Sequence, residues 1–97
     1  ITIAPGEYKV TFYLKNVNIA NNSKIELLVT ANYFKVVLSS LTINGSQISQ
    51  EWTPISFTFY VNNIYTAVEF IGFAYNLNGT LMLKNVSLVQ IGPWKLN

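Results

Sequence analysis

The sequence predicts an all-β protein, an antiparallel β-sandwich formed by a single domain over residues 1–97. Three observations carry that reading. Apolar side chains recur at every second position through several stretches, which places an apolar row and a polar row on opposite faces of a strand. Clusters of Asn, Gly and Ser separate those stretches at short intervals, as the turns of a sandwich do. Hydrophobic residues make up 51% of the 97 and charged residues 10%, the composition of a chain that folds around one core and not of a disordered one.

The elements follow in order. From Glu7 to Lys15, Tyr8, Val10, Phe12 and Leu14 alternate with Glu7, Lys9, Thr11, Tyr13 and Lys15, a half-buried strand. Ser23 to Glu26 matches a capping box, and Ile25, Leu28, Val29, Tyr33, Val36 and Val37 have helical spacing. Ile25, Leu27, Val29 and Ala31 also alternate, and β-branched residues recur from Val36 to Ile43. Two strands broken at Asn32 are therefore favoured over a helix from Lys24 to Leu38. Ile55, Phe57, Phe59 and Val61 alternate with Ser56, Thr58 and Tyr60 behind Pro54, a proline tolerated at the start of a strand. Ala67 to Tyr75 is apolar on both faces apart from Glu69, which calls for cover on both sides or a partner on one. Leu81–Leu83 and Val86–Ile91 form a last strand interrupted by a bulge at Lys84 and Asn85. Residues 91–97 then read as a tail or linker. Asn21-Asn22-Ser23, Asn44-Gly45-Ser46, Asn62-Asn63 and Asn76 to Gly79 supply the turns.

The composition also restricts chemistry. The chain has no His, Cys, Asp or Arg, the residue types that furnish most general bases, zinc ligands, thiol nucleophiles and guanidinium phosphate clamps. The carboxylates are Glu7, Glu26, Glu51 and Glu69, and nothing in the sequence pairs two of them for glycoside hydrolysis. With no His and no G-x-S-x-G elbow, serine hydrolysis has no support either. The reading is non-catalytic, with no cofactor and no metal. Six lysines stand singly along the chain against four glutamates, a net charge of +2; that weak and scattered field argues against nucleic acid. The longest uncharged stretch, Trp52 to Val68, is broken by Thr53, Pro54, Ser56, Thr58, Asn62, Asn63 and Thr66, so no membrane span is predicted. The chain opens on Ile1 without a basic n-region and apolar h-region, which leaves room for an upstream segment removed before this form arose.

The string Ala4 to Asn16 (APGEYKVTFYLKN), then Glu51 to Val61 (EWTPISFTFYV), then Phe70 to Leu88 (FIGFAYNLNGTLMLKNVSL) resembles the second half of the jelly-roll carbohydrate-binding modules of the galactose-binding-like class. The resemblance covers most of the chain on short motifs. It implies a jelly-roll sandwich, a glycan ligand and a Trp52 placed inside. Two departures matter. Only Ile1 to Ala4 precede the Pro-Gly turn, so the first strands are expected to be lacking, with a minimal domain or a strand exchanged from another chain as the consequence. Lys84 stands where the resemblance places an Asp that helps hold calcium; an ammonium has the wrong sign for that ion, and Lys84 either fills the cation site itself or faces solvent on an edge strand.

Candidate binding residues follow from the polar rows. Tyr13, Tyr60 and Tyr75 fall there, and if those rows share a face they form a ligand surface with Glu69 and Lys9 as polar partners; cross-strand aromatic packing is the competing use of the same residues. Trp52 offers an indole face for stacking on a sugar, but its position before an alternating strand assigns it to the core. Trp94 is an exposed anchor or a plug for the sandwich end. N-x-S/T sequons occur at Asn21, Asn44, Asn78 and Asn85; Asn21, in a polar loop, is the best glycosylation acceptor, with Asn44 and Asn78 in turns and Asn85 in a strand. Sequons, low charge and missing thiols place the chain outside the cell, on a cell surface or a virion. The function expected is an extracellular glycan-binding glycoprotein module. The alternative is a structural subunit of a surface filament, cell-surface layer or virion that joins neighbouring protein subunits by strand pairing.

Overall fold

β-branched and aromatic residues at alternate positions, separated by Asn and Gly that accept positive φ, produce strands and almost nothing else. The computed structural model describes residues 1–93. Its elements are β1 (Gly6–Val17), β2 (Lys24–Ala31), β3 (Val36–Asn44), a 3₁₀ turn (Gly45–Gln47), β4 (Thr53–Val61), β5 (Glu69–Tyr75) and β6 (Thr80–Pro93). They form two antiparallel three-stranded sheets. β1 is central in one, in the order β4-β1-β6, and β2 is central in the other, in the order β3-β2-β5.

The ambiguous segment resolves into two strands with the break at Asn32. Asn32, Tyr33 and Phe34 all take positive φ, of 55°, 57° and 68°, which turns β2 back onto β3 and excludes a helix there. The expected interruption of the last strand is a bulge: the β1–β6 register shifts between Thr11 and Tyr13, and Asn85 opposite that step has φ 57°. Ile91, Gly92 and Pro93, expected to begin a tail, continue β6 instead, because Gly92 and Pro93 lie opposite Glu7 and Gly6 of β1. Trp94 and the remainder of the expected tail lie outside the described residues.

The core lies between the sheets and follows the alternation. Tyr8, Val10, Phe12 and Leu14 of β1 are buried against Ile25, Leu27, Val29 and Ala31 of β2. Phe12 joins the layers: its ring lies 5.3 Å from that of Phe70 on β5 and 6.4 Å, edge-on, from that of Phe57 on β4.

The two ends of the sandwich are tied differently. At one, Ser23 gathers three loops: its N–H donates to Ala20 O, its hydroxyl donates to Asn76 O at 2.7 Å, and its own carbonyl accepts the Gly45 N–H at 2.8 Å. At the other, Ile3 and Tyr65 exchange both backbone hydrogen bonds, and Asn32 N–H donates to Thr66 O at 2.8 Å.

The lateral sides differ as well. β3 and β4 pack together along one side, and there Ile43 and Phe59 are buried. β5 and β6 line the other side, which is left open among the described residues.

Candidate functional site

The candidate ligand residues divide between the two outer faces. In an antiparallel ladder, directly paired residues point to the same face. Tyr13 pairs with Pro54, Lys9 with Thr58 and Tyr60 with Glu7, so all belong to the outer face of the β4-β1-β6 sheet. Tyr13 and Tyr60 sit at opposite ends of that face, about 20 Å apart at ~3.3 Å per residue. Tyr75 pairs with Lys24 and Glu69 with Thr30, on the outer face of the other sheet. The five residues therefore do not surround one ligand. Tyr13 and Lys9 alone share a depression, of about 460 Å³, whose wall also includes Thr11, Pro54 and Ser56.

Trp52, assigned to the core by its sequence position, is a correction. It is half-buried outside the core, beneath a lysine: Lys84 Nζ lies 4.1 Å from the indole centroid, and Lys15 Nζ lies 5.8 Å away. The reason is register. β4 begins at Thr53 opposite Leu14, so Trp52 precedes the paired strand and its ring turns onto the outer face, where two ammoniums supply a cation–π partner. Lys84 also reaches Tyr13, at 5.8 Å. It is an exposed lysine of edge strand β6 that covers an aromatic surface. The four sequon asparagines, Asn21, Asn44, Asn78 and Asn85, are all exposed.

The second candidate region was only half legible in the sequence. On the open side the inward row of β6 contains Leu83, opposite the fully buried Leu14, together with Val86 and Leu88. These inward positions are not covered: Leu83 and Val86 are 45% and 44% exposed. Two apolar hollows run between the sheets here. One, of about 200 Å³, reaches in to Val10 and Val29; the other, of about 250 Å³, reaches in to Leu14, Ile25 and Leu27. Both are open to the surface, so buried side chains of β1 and β2 form the floor of grooves that the sheets do not close. Glu69, whose side chain the register puts on the outer face, borders the first hollow, and no other Glu or Lys among the described residues lines either one. β5 and β6 each pair with one neighbour and leave the other backbone edge unpaired among the described residues. The sequence signal was the stretch Ala67 to Tyr75, too apolar for a strand with one wet face. What it could not give was the location of the matching gap on β6.

Searches against protein-family models, curated proteins and solved structures return no match for this chain.

Proposed function

We propose that this chain is a non-catalytic extracellular module that assembles with neighbouring protein subunits by accepting a β-strand along the open side between β5 and β6. The observation that carries this reading is the inward row of β6, apolar and half exposed beside two hollows and two free strand edges. An added strand gains main-chain hydrogen bonds from an edge and buries alternate side chains between the sheets. The hollows set its pattern. They lie level with Val10 and Leu14, about 13 Å apart along β1 at ~3.3 Å per residue, which is the separation of side chains i and i+4 on one face of a strand. An incoming strand with large apolar residues at those positions fills both, and an apolar edge of this kind promotes association when left uncovered.

The test is the size of the purified chain by light scattering. The wild type is expected to form large particles. Leu83→Lys combined with Val86→Lys is expected to give a monomer with unchanged strand content, because side chains already half exposed can carry an ammonium out to water on a long stem. The stability cost should stay below about 1 kcal/mol. A wild type that remains monomeric at high concentration refutes the reading.

A second reading, glycan binding, draws on the depression beside Tyr13 and Lys9 and on the resemblance to carbohydrate-binding modules. Under it Tyr13→Ala abolishes retention on a glycan array, while the Leu83 and Val86 substitutions leave retention intact.

A further inference from the structure

The five most exposed large apolar or aromatic side chains among the described residues are Ile1, Tyr33, Phe34, Val37 and Ile64, at 58% to 77%. All of them gather at one end of the sandwich. The β2–β3 turn carries Tyr33 and Phe34, and Val37 follows on β3. The β4–β5 loop, 62–68, carries Ile64. Asn32 N–H donates to Thr66 O at 2.8 Å and Val68 N–H donates to Ile1 O at 3.0 Å, so these segments are laced into one tip.

The backbone of that tip is unusual. Tyr33 and Phe34 hold left-handed φ values of 57° and 68°, a conformation that disfavours any side chain with a Cβ and aromatic ones in particular. Packing does not require them there, since both rings point into solvent. Strained residues that the core does not use are candidates for function.

Size and charge decide what the tip meets. The molecule measures 45 × 24 × 22 Å, and its longest strand, β6, at ~3.3 Å per residue accounts for the long axis. The tip is therefore an end face with a projected area on the order of 500 Å², below the ~800 Å² per partner of a standard protein interface. With 58% to 77% of their surface exposed, these side chains stand out from the end face; a protein partner would need matching pockets for them, whereas a fluid interface needs none. Segments 32–35 and 62–68 contain one ammonium, Lys35, and no carboxylate; the Ile1 amino group adds a second positive charge, and the exposed Glu69 stands at the rim where β5 begins.

We propose that this end docks on a lipid surface, with Tyr33, Phe34 and Ile64 entering the boundary between headgroups and acyl chains and Lys35 facing anionic headgroups. Aromatic side chains with an apolar body and a polar edge concentrate at that depth, and a nearby lysine adds attraction to anionic lipid. The chain lies on the bilayer; no helix among the described residues is long and apolar enough to cross one. This proposal rests on Tyr33, Phe34, Ile64 and Lys35, none of which lines the hollows on the open side, and is independent of strand addition there.

The experiment is flotation with phosphatidylcholine vesicles, with and without phosphatidylserine, paired with thermal unfolding. The wild type is expected to float, more strongly with phosphatidylserine. Tyr33→Gly and Phe34→Gly should each lower binding at least tenfold while the thermal midpoint stays level or rises, because glycine relaxes the left-handed backbone. Ile64→Ser, in the other loop, gives the same loss without touching that turn. Lys35→Glu removes the phosphatidylserine preference and leaves weak binding to neutral vesicles. A wild type that floats with neither vesicle overturns the proposal, as does binding unchanged in Phe34→Gly and Ile64→Ser. Self-association abolished by those variants, with no vesicle binding, assigns the tip to a second copy of the chain and likewise overturns it.

Discussion

Phe12→Ala is expected to cost about 3–5 kcal/mol, the range for emptying an aromatic from a packed core. Against a total stability on the order of 5–15 kcal/mol for a domain, that leaves the fold marginal. The site lies at the upper end of the range for a structural reason. Phe12 is 1% exposed on the central strand of one sheet and touches Phe70 of the other, so its removal loosens the contact between layers and not only one packing site. The open side beside Phe70 makes matters worse, because the space left by the ring adjoins a hollow that is already unfilled. Phe73→Ala is the control: Phe73 pairs with Glu26 on an outer face and is half exposed, and its loss should cost below about 1 kcal/mol. Urea unfolding measures both. The midpoint of Phe12→Ala should fall steeply with an unchanged slope, and equal costs for the two variants would remove Phe12 from its place as the link between sheets.

Much of this architecture is legible in the sequence because it depends on local rules. Alternation along Tyr8 to Leu14 and Ile55 to Val61 marks the strands, Asn32 marks the break between β2 and β3, and Asn85 marks the bulge in β6; each is a property of a few consecutive residues. What failed is what depends on pairing across the chain. Trp52 looks like a core residue because its neighbours alternate, yet the partner of Thr53 decides where β4 begins and leaves the indole outside. Tyr13, Tyr60 and Tyr75 all occupy polar rows, but a polar row exists on each of two sheets, and only the strand order separates Tyr75 and Glu69 from the rest. The open side is a further case. Apolar residues at Leu83 and Val86 are indistinguishable in sequence from buried ones until the spacing of the sheets is known. At the tip, Tyr33 fits a helical spacing in the sequence, and only the backbone angles of Tyr33 and Phe34 reveal a turn that displays both.

Gly45→Ala is the second large effect, expected to cost about 3 kcal/mol through overpacking and the hydrogen bonds it displaces. The reason is lack of space and not lack of conformational freedom, since Gly45 does not take positive φ. A Cβ there would run into the Ala20 carbonyl oxygen, with the carbonyl carbon 3.1 Å away. Backbone cannot swing aside as a side chain does. Relief requires moving the 19–23 loop, and that loop is held by Ser23, which is itself fully buried and bonded to Ala20, Asn76 and Gly45. Displacing it strands the Asn76 carbonyl and the Gly45 N–H away from their partners, so the clash at one residue is paid at three loops. Gly79→Ala meets the same obstacle from the Asn18 carbonyl carbon at 2.6 Å and should also destabilise strongly. Gly92→Ala meets only the Glu7 Cβ at 3.4 Å, an ordinary contact, and should lie within about 0.5 kcal/mol of the wild type. Thermal unfolding of the three variants should therefore rank Gly45→Ala and Gly79→Ala far below Gly92→Ala. Three similar midpoints would mean that the loops at this end are free to shift, and that the Ser23 bonds do not hold them together.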